Sequence, residues 1–592
     1  MAVSSTNPIP CHEEDMLKVK SRKQQHLFDP WQFLSPKRRE LLDQSWPGFF
    51  RDHVLEVLPV EKLGLLFPAD RGRPTKEMHT VLGTLALQQY HDLTDRETCD
   101  QLAFNIQWHY ALDITEESDE AKYICPKTLW NMRTLATELG IETDLFDAVT
   151  KNLAEVFNVD TSRQRIDSVH IRSNMARLGR IGLFVKGIDR FLVNLKRQHV
   201  SLYDRIDAEL IQRYHGEKAK QCFAGVKPSE SKKTLSDVAS DLYRLVTQFE
   251  SNRQVADMSS YKLLCRIVKE QCEVQADGTI EVKAPKLIAS DSLQNPSDPD
   301  ATYSGHKGQG YQVQIMETYS EHEHDGKDAG QLNLITHVEV ERACQSDAQA
   351  LLPALETTLE KDLAPAQVQA DALYGSDDNC LEAEQLGIEV ISPAMGTEKR
   401  ESVNLSDFQF LPDGHVDRCP AGHRPALCKK KKDRYTQGFE IELCERCPMA
   451  DCCAAKRGAK FFYLNYTEKT LRIARRRQHE RTEEFRQKYR WRAGVEATMS
   501  QYDRLTGVKH LRVRGMKAVR FAAVMKATAV NLARAVAAKR ARIGAQSPNP
   551  DRYCRAAGLL SLFKEQIGGI FGSIAALIVG KPLFRAYAHN RA

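Results

Sequence analysis

Two runs of strict alternation constrain this chain more than any other feature. Tyr311, Val313 and Ile315 alternate with Gln312 and Gln314, and Leu332, Leu334, Thr336, Val338 and Val340 alternate as cleanly. A period of two sends successive side chains to opposite faces of a strand. The polar stretch from Glu321 to Gly330 between them predicts a loop, so the two runs read as an antiparallel pair.

The segments around this pair predict its neighbours. Residues 164–172 (QRIDSVHIR) read as a strand with Asp167 inside it. A long charged helical stretch follows, from about Met175 to Glu270, and reads as an insertion. After the pair come a helix over Asp347 to Lys361 and a short strand, Gln367 to Ala370, ending at Asp371. A helix around Asn379 to Gln385 and a strand over Ile388 to Ile391 complete the series. Strand, insert, two antiparallel strands, helix, strand, helix, strand is the order of a ribonuclease H-like mixed sheet. The expected class is therefore α/β, with a discontinuous core. The expected divisions are a helical segment 1–75 and a helical domain of DNA-binding type, 76–160. The core comprises 161–177, 285–400 and 484–542. A helical insertion spans 178–284, a Cys-rich insertion 401–483 and a tail 543–592.

Ahead of the core, Ser35 and Pro36 mark a helix start, and Thr94 with Asp95 marks another. Val81, Leu82, Leu85 and Leu87 lie near one apolar helical face. The N-terminal residues lack the apolar core of a secretory signal, and the apolar stretch 566–580 is shorter than the ~18 residues a spanning helix needs. With 42% hydrophobic residues and 28% charged, the expectation is a cytoplasmic protein with no membrane association. The fifteen cysteines are then expected as reduced thiols or metal ligands.

Net charge is only +5, but basic residues crowd the last third. They run through Lys429 to Lys432, Arg472, Arg475 to Arg477, Arg486, Lys488, Arg490 and Arg492, then Lys509, Arg512, Arg514, Lys517 and Arg520. Such clusters are read as phosphate-neutralising surfaces; the alternative is a solvated helix face.

Three acids stand out against this background. Asp167 lies mid-strand, where a carboxylate is costly to bury without a partner or a metal. Asp371 lies just past a short apolar strand. Glu496 lies in RWRAGVEATMSQYDRL, which predicts one helix with Arg492 a turn before it and Tyr489 on a similar face. Carboxylates are natural ligands for Mg²⁺, and two such ions about 4 Å apart are the machinery of phosphoryl transfer on DNA.

Several segments carry a family resemblance. They are RPTKEMHTVLGTLALQQY and ETCDQLAFNIQWHYALDI near the N-terminus, IDSVHIRSN, DPDATYSGHKGQGYQVQIMET, ADALYGSDDN, and YRWRAGVEATMSQYDRLTGVKHLRVRGMKAVRFAAVMKATAVNLAR. Together they resemble bacterial insertion-sequence DDE transposases of the IS4-like superfamily, most closely its IS1182 group. The resemblance implies Asp167, Asp371 and Glu496 as catalytic ligands of Mg²⁺ or Mn²⁺. It implies Tyr489 and Arg492 as members of a tyrosine–arginine–glutamate–lysine signature. The lysine is missing, because Asp503 stands seven residues after Glu496 and Arg504 follows it. Expected DNA contacts are Tyr489, Arg492, Arg504, Lys509, Arg512, Arg514, His306 and Lys307. The implied activity is cleavage at insertion-sequence ends and joining of the freed 3′-hydroxyl to target DNA, by a homodimer on double-stranded DNA. The competing readings are an inactive or domesticated DNA-binding protein and a ribonuclease H-like nuclease that does not join.

Between Asp371 and Glu496 the cysteines Cys419, Cys428, Cys444, Cys447, Cys452 and Cys453 cluster, among them the C-x2-C pair Cys444 and Cys447. Cys419, Cys444 and Cys447, with Cys452 or Cys453 as the fourth ligand and Cys452 taken first, match a tetrahedral zinc site. Reduced thiols in a loop are the alternative. The His322 to Asp325 run is read as a polar loop tip, and His170 as a hydrogen-bonded structural residue.

Overall fold

The computed structural model describes residues 17–20, 29–67, 74–215, 226–321 and 331–545. The His322 to Asp325 run and the apolar stretch 566–580 lie outside them.

The centre is a six-stranded mixed sheet. Its strands are β1 (Arg163–Arg172), β2 (Thr302–Ser304), β3 (Gly308–Thr318), β4 (Ile335–Arg342), β5 (Gln367–Gln369) and β6 (Glu389–Ile391). β3 runs antiparallel to β1 along its whole length. Its other edge is shared, with β2 on residues 308–310 and β4 on residues 311–317, both antiparallel. β5 and β6 continue the sheet beyond β1 in parallel. The alternating runs thus form the expected antiparallel pair, although the second strand begins at Ile335, so Leu332 and Leu334 precede it.

Alternation on these strands divides two cores. Val169 and Ile171 of β1, with Tyr311, Val313 and Ile315 of β3, pack against Val495, Met499 and Tyr502 of helix Gly494–Thr506 and against helix Met516–Ala545. Ile166 and Met316 point the other way, onto helix Leu351–Glu360, Tyr374 and Ala383. Asp167 shares parity with Val169, so it faces the helix that carries Glu496.

Helices fill the chain from Pro36 to Phe157. Thr94 caps one of them in a reciprocal capping box with Glu97, whereas Ser35 holds the N-cap position of another without a side-chain bond. Phe521, Met525, Leu532 and Val536 of helix Met516–Ala545 enter the core of this N-terminal unit. The opposite side of the same helix enters the sheet core. A stretch of it is apolar enough to cross a membrane, but 83% of that stretch is buried inside the protein. Its composition is that of a helix apolar all round because protein surrounds it. Residues 180–271 form a helical body with its own core, including Phe184, Phe191, Leu242 and Leu264.

The Cys-rich region holds a four-stranded antiparallel sheet built from Leu427–Lys431, Arg434–Phe439, Phe462–Thr467 and Lys456–Arg457. Phe408, Tyr435, Phe439, Leu464 and Tyr466 make its core, with Tyr435 and Tyr466 stacked at 5.1 Å. The edge strand Leu427–Lys431 shows no alternation because four of its five residues are exposed. Lysines on such an edge oppose strand-to-strand aggregation.

Candidate active site

The register of the parallel pair brings two of the three acids together. Arg165 on β1 lies opposite Gln369 on β5. Asp371 follows two residues past the end of β5, and its charge acts on the Asp167 carboxyl. Asp167 is held from both sides: its Oδ1 accepts the Ser168 N–H at 2.8 Å, and its Oδ2 accepts Arg492 Nη2 at 2.8 Å. Asp371 Oδ1 accepts the Leu373 N–H at 2.8 Å, which shapes the turn after β5. Burial pushes the Asp167 carboxyl up from its ordinary range. The Ser168 N–H and Arg492 oppose this, while the neighbouring charges of Asp371 and Asp347 add to it.

Glu496 reaches the same end of the sheet from the helix above. Its Oε1 lies 3.8 Å from Arg492 Nη1, so one guanidinium spans Asp167 and Glu496. Exposure separates the two acids: 18% for the Asp167 side chain and 74% for Glu496. The expected single helix is broken here. Tyr489 ends helix Glu483–Tyr489, a 3₁₀ turn covers Arg490–Ala493, and a new helix starts at Gly494. Tyr489 is therefore not on the face of Glu496. It stacks on Phe485 at 5.3 Å, and its hydroxyl is pushed up by burial and then by Asp371 and Asp167, against the pull of Arg492.

Asp347 was not singled out in the sequence. It opens the 3₁₀ turn before helix Leu351–Glu360 and accepts Gln314 Nε2 at 2.9 Å. Gln314 Oε1 in turn accepts the buried Tyr374 hydroxyl at 2.6 Å. No local pattern marks this acid, because the fold alone carries it near Asp167.

Lys307 belongs to the site. Its Nζ donates to Ser168 Oγ at 3.1 Å, one residue from Asp167, while His306 beside it is exposed. Burial and Lys307 together push His170 below its ordinary range. The remaining expected contacts scatter. Arg504 is exposed. Lys509 lies 3.6 Å from Asp503, Arg512 pairs with Asp92 at 3.3 Å, and Arg514 donates to the Met175 sulfur at 3.2 Å.

The arginine cluster in helix Glu468–Glu480 is not a free cationic face. Arg472 pairs with Asp377 at 2.6 Å, and Arg475 donates to Leu411 O at 2.7 Å. Arg476 donates to Gly375 O at 2.8 Å and Ser392 O at 3.1 Å, and Arg477 pairs with Glu398 at 3.3 Å. These side chains brace the Cys-rich unit against the loops that follow β5 and β6. Ser392 Oγ donates to the Asp371 carbonyl at 2.7 Å, so Arg476 supports the Asp371 turn from behind.

Cys419, Cys444, Cys447 and Cys453 line one small cavity of ≈ 30 Å³ together with His423. Cys452 is not part of that lining; its thiol donates to Met449 O at 3.4 Å. The His423 N–H donates to Cys419 Sγ at 3.3 Å. Burial and then the nearby Cys453, Cys419 and Cys447 push the Cys444 thiol up to about 11. Neither these thiols nor the three acids form a closed ligand set as the side chains stand. Among the described residues, no group of three or more His, Cys, Asp or Glu is disposed to hold a metal ion.

Two family models match. Residues 39–135 match a transposase domain (DUF772), and residues 418–536 match a transposase DDE domain. The second match includes Glu496 and the Cys-rich unit, while Asp167 and Asp371 lie outside it. No curated protein and no solved structure matches the chain. Transposase domains are thus matched in both the N-terminal helical unit and the C-terminal third, and the two matches together indicate an insertion-sequence DDE transposase.

Proposed function

We propose that the protein cuts DNA at insertion-sequence ends and joins the freed 3′-hydroxyl to target DNA, with Asp167, Asp371 and Glu496 as the catalytic carboxylates. The observation that carries this reading is that Asp167 feels the charge of Asp371, just past the parallel neighbour strand, and shares Arg492 with Glu496 of the covering helix. The strand order supports a ribonuclease H-like core: four strands joined by antiparallel pairs, then two added in parallel.

The donor set fits Mg²⁺ or Mn²⁺. Asp167, Asp371 and Glu496 offer hard oxygen donors, and the Asp167 carboxyl is raised by burial and by neighbouring acids, an imbalance that a divalent cation relieves. Divalent cations held there would activate the attacking water or 3′-hydroxyl and stabilise the leaving oxygen. The exposed Glu496 side chain is free to swing toward the two aspartates. Lys307, at the rim beside Ser168, is placed to meet a phosphate. DNA held at two ends calls for a homodimer.

Strand cleavage and strand transfer on end-bearing DNA test this, with Asp167→Asn, Asp371→Asn and Glu496→Gln. Each variant is expected to lose at least about 10²-fold in both steps, the scale of losing one electrostatic catalytic group. Cleavage without transfer in the unaltered protein would favour the nuclease reading. DNA binding without either step would favour the inactive one.

We also propose that the thiol cavity takes a structural Zn²⁺, with Cys453 rather than Cys452 as the fourth ligand, because Cys453 shares the cavity with the other three. Metal analysis is expected to find one zinc per chain, lost in Cys453→Ser and retained in Cys452→Ser. Zinc absent from the purified protein would remove the site.

A further inference from the structure

A charged cluster lies deep under the Glu496 helix. Glu317 of β3 is fully buried, and Arg165 of β1 is only 1% exposed. Glu317 Oε1 accepts Arg165 Nε at 2.7 Å. Its Oε2 accepts the Thr498 hydroxyl at 2.6 Å and Arg534 Nη1 at 2.9 Å. Arg534 Nη2 returns a bond to Thr498 Oγ at 2.6 Å. Arg165 Nη1 donates to the Trp491 carbonyl at 2.9 Å. A Cβ built on Gly494 would overlap the Arg165 guanidinium, so only glycine admits this approach.

Buried ion pairs of this kind are a poor source of stability, because well-packed apolar side chains often do as well. Their placement is more telling. Glu317 and Arg165 grip the chain at Trp491, five residues before Glu496, and at Thr498, two residues after it. Two grips on either side of one residue set both the height and the rotation of that turn. Arg165 lies two residues before Asp167 on the same face of β1. The cluster therefore ties the carboxylate-bearing turn of the helix to the carboxylate-bearing stretch of the strand. Glu496 itself is exposed, and among the described residues its ion-pair partner is Arg492 on the same segment, so its position is inherited from its helix.

We propose that Glu317, with Arg165, is a positioning residue that sets the Glu496 carboxylate at its working distance from Asp167 and Asp371. The proposal rests on the reading of those three acids as the metal-binding set. Displacements near 1 Å are enough to lose about 10²-fold in rate.

The test uses the full chain with Glu317→Gln, Thr498→Val and Gly494→Ala. Thr498→Val removes two hydroxyl bonds, one to Glu317 and one from Arg534, and keeps both ion pairs, so it carries the test if Glu317→Gln does not fold. Four readouts are taken: thermal midpoint, affinity for end DNA, kcat for cleavage, and Mn²⁺ affinity by calorimetry. Thr498→Val is expected to keep DNA affinity within about twofold, to lose at least about tenfold in kcat, and to bind Mn²⁺ several-fold more weakly. Glu317→Gln is expected to show the same pattern more strongly. A lowered midpoint with kcat and Mn²⁺ affinity unchanged would make the cluster merely structural and overturn the proposal. Glu496→Gln runs alongside: if it cleaves normally, the reading of the catalytic acids fails, a result distinct from failure of the clamp.

Discussion

Arg492 donates to Asp167 at 2.8 Å and reaches toward Glu496 at 3.8 Å, so a single guanidinium links a carboxylate on the central strand to one on the covering helix. The half of the pair that matters for stability is the buried one. Arg492→Ala leaves Asp167 at 18% exposure without its counter-charge. We expect a loss of about 2 kcal/mol at neutral pH, read by denaturant unfolding, because a bond to a charged group is removed and its partner stays buried. The loss shrinks as acid protonates Asp167. A variant as stable as the parent at neutral pH would show that the pair is already solvated.

The raised Asp167 carboxyl sets a pH dependence. In the folded chain this group takes up its proton at a higher pH than in the unfolded chain, whose ordinary value is 3.8. Between those two values the folded state binds more protons, so the metal-free protein gains stability as pH falls. Metal binding needs the carboxylate, so Mn²⁺ affinity falls over the same interval. Calorimetric titration at several pH values is expected to show this acid-side loss beginning above 3.8, and Asp167→Asn is expected to remove that step. Affinity that stays flat until the ordinary value is reached would contradict it.

The N-terminal unit and the sheet meet at another buried charge. Lys526 donates to Asp92 Oδ1 at 2.7 Å and to the Thr506 carbonyl at 2.5 Å, and burial pulls its ammonium below the ordinary lysine range. Asp92 has a positive φ of 50°, which asparagine also tolerates. Asp92→Asn therefore removes charge without straining the backbone. It is expected to cost about 3 kcal/mol, since it leaves an ammonium buried and unpaired. Lys526→Met is expected to cost less, and unfolding monitored on both variants checks the order.

Arg476 predicts coupling between the Cys-rich unit and the Asp371 turn. Gly375 lies against Ser392, Pro393 and Arg476, and any Cβ there would overlap them. Gly375→Ala is expected to destabilise by about 1–3 kcal/mol and to weaken Mn²⁺ binding, because the displaced turn carries Asp371. Arg476→Lys is expected to weaken Mn²⁺ binding by a smaller factor at nearly unchanged stability. Calorimetry on both separates a local shift from general loss of fold.

Much of the frame was legible along the chain. Alternation in 311–315 marked the central strand, because a sheet with apolar cover on one face imposes a period of two. Asp167 and Asp371 were visible as acids within and just beyond strands, and Thr94 was visible as a helix cap. The partners of the basic clusters were not legible, because a run of arginines reads alike whether it faces phosphate or backbone carbonyls. Arg472, Arg475, Arg476 and Arg477 all find partners far away in sequence. The four-stranded sheet of the Cys-rich unit was hidden in part because its edge strands, Leu427–Lys431 and Lys456–Arg457, are almost wholly exposed and show no period.

Local physics thus determined which segments become strands or helices and which acids lie on them, since side-chain period and capping act within a few residues. Only the tertiary structure decided which of those groups meet. Parallel pairing of β1 with β5 brought Asp371 near Asp167, Asp347 arrived from a separate loop, and Cys453 rather than Cys452 lines the thiol cavity. The buried Glu317 cluster depends on packing four elements at once, and a contact between residues more than 300 positions apart, such as Arg165 with Trp491, leaves no periodic trace in the chain.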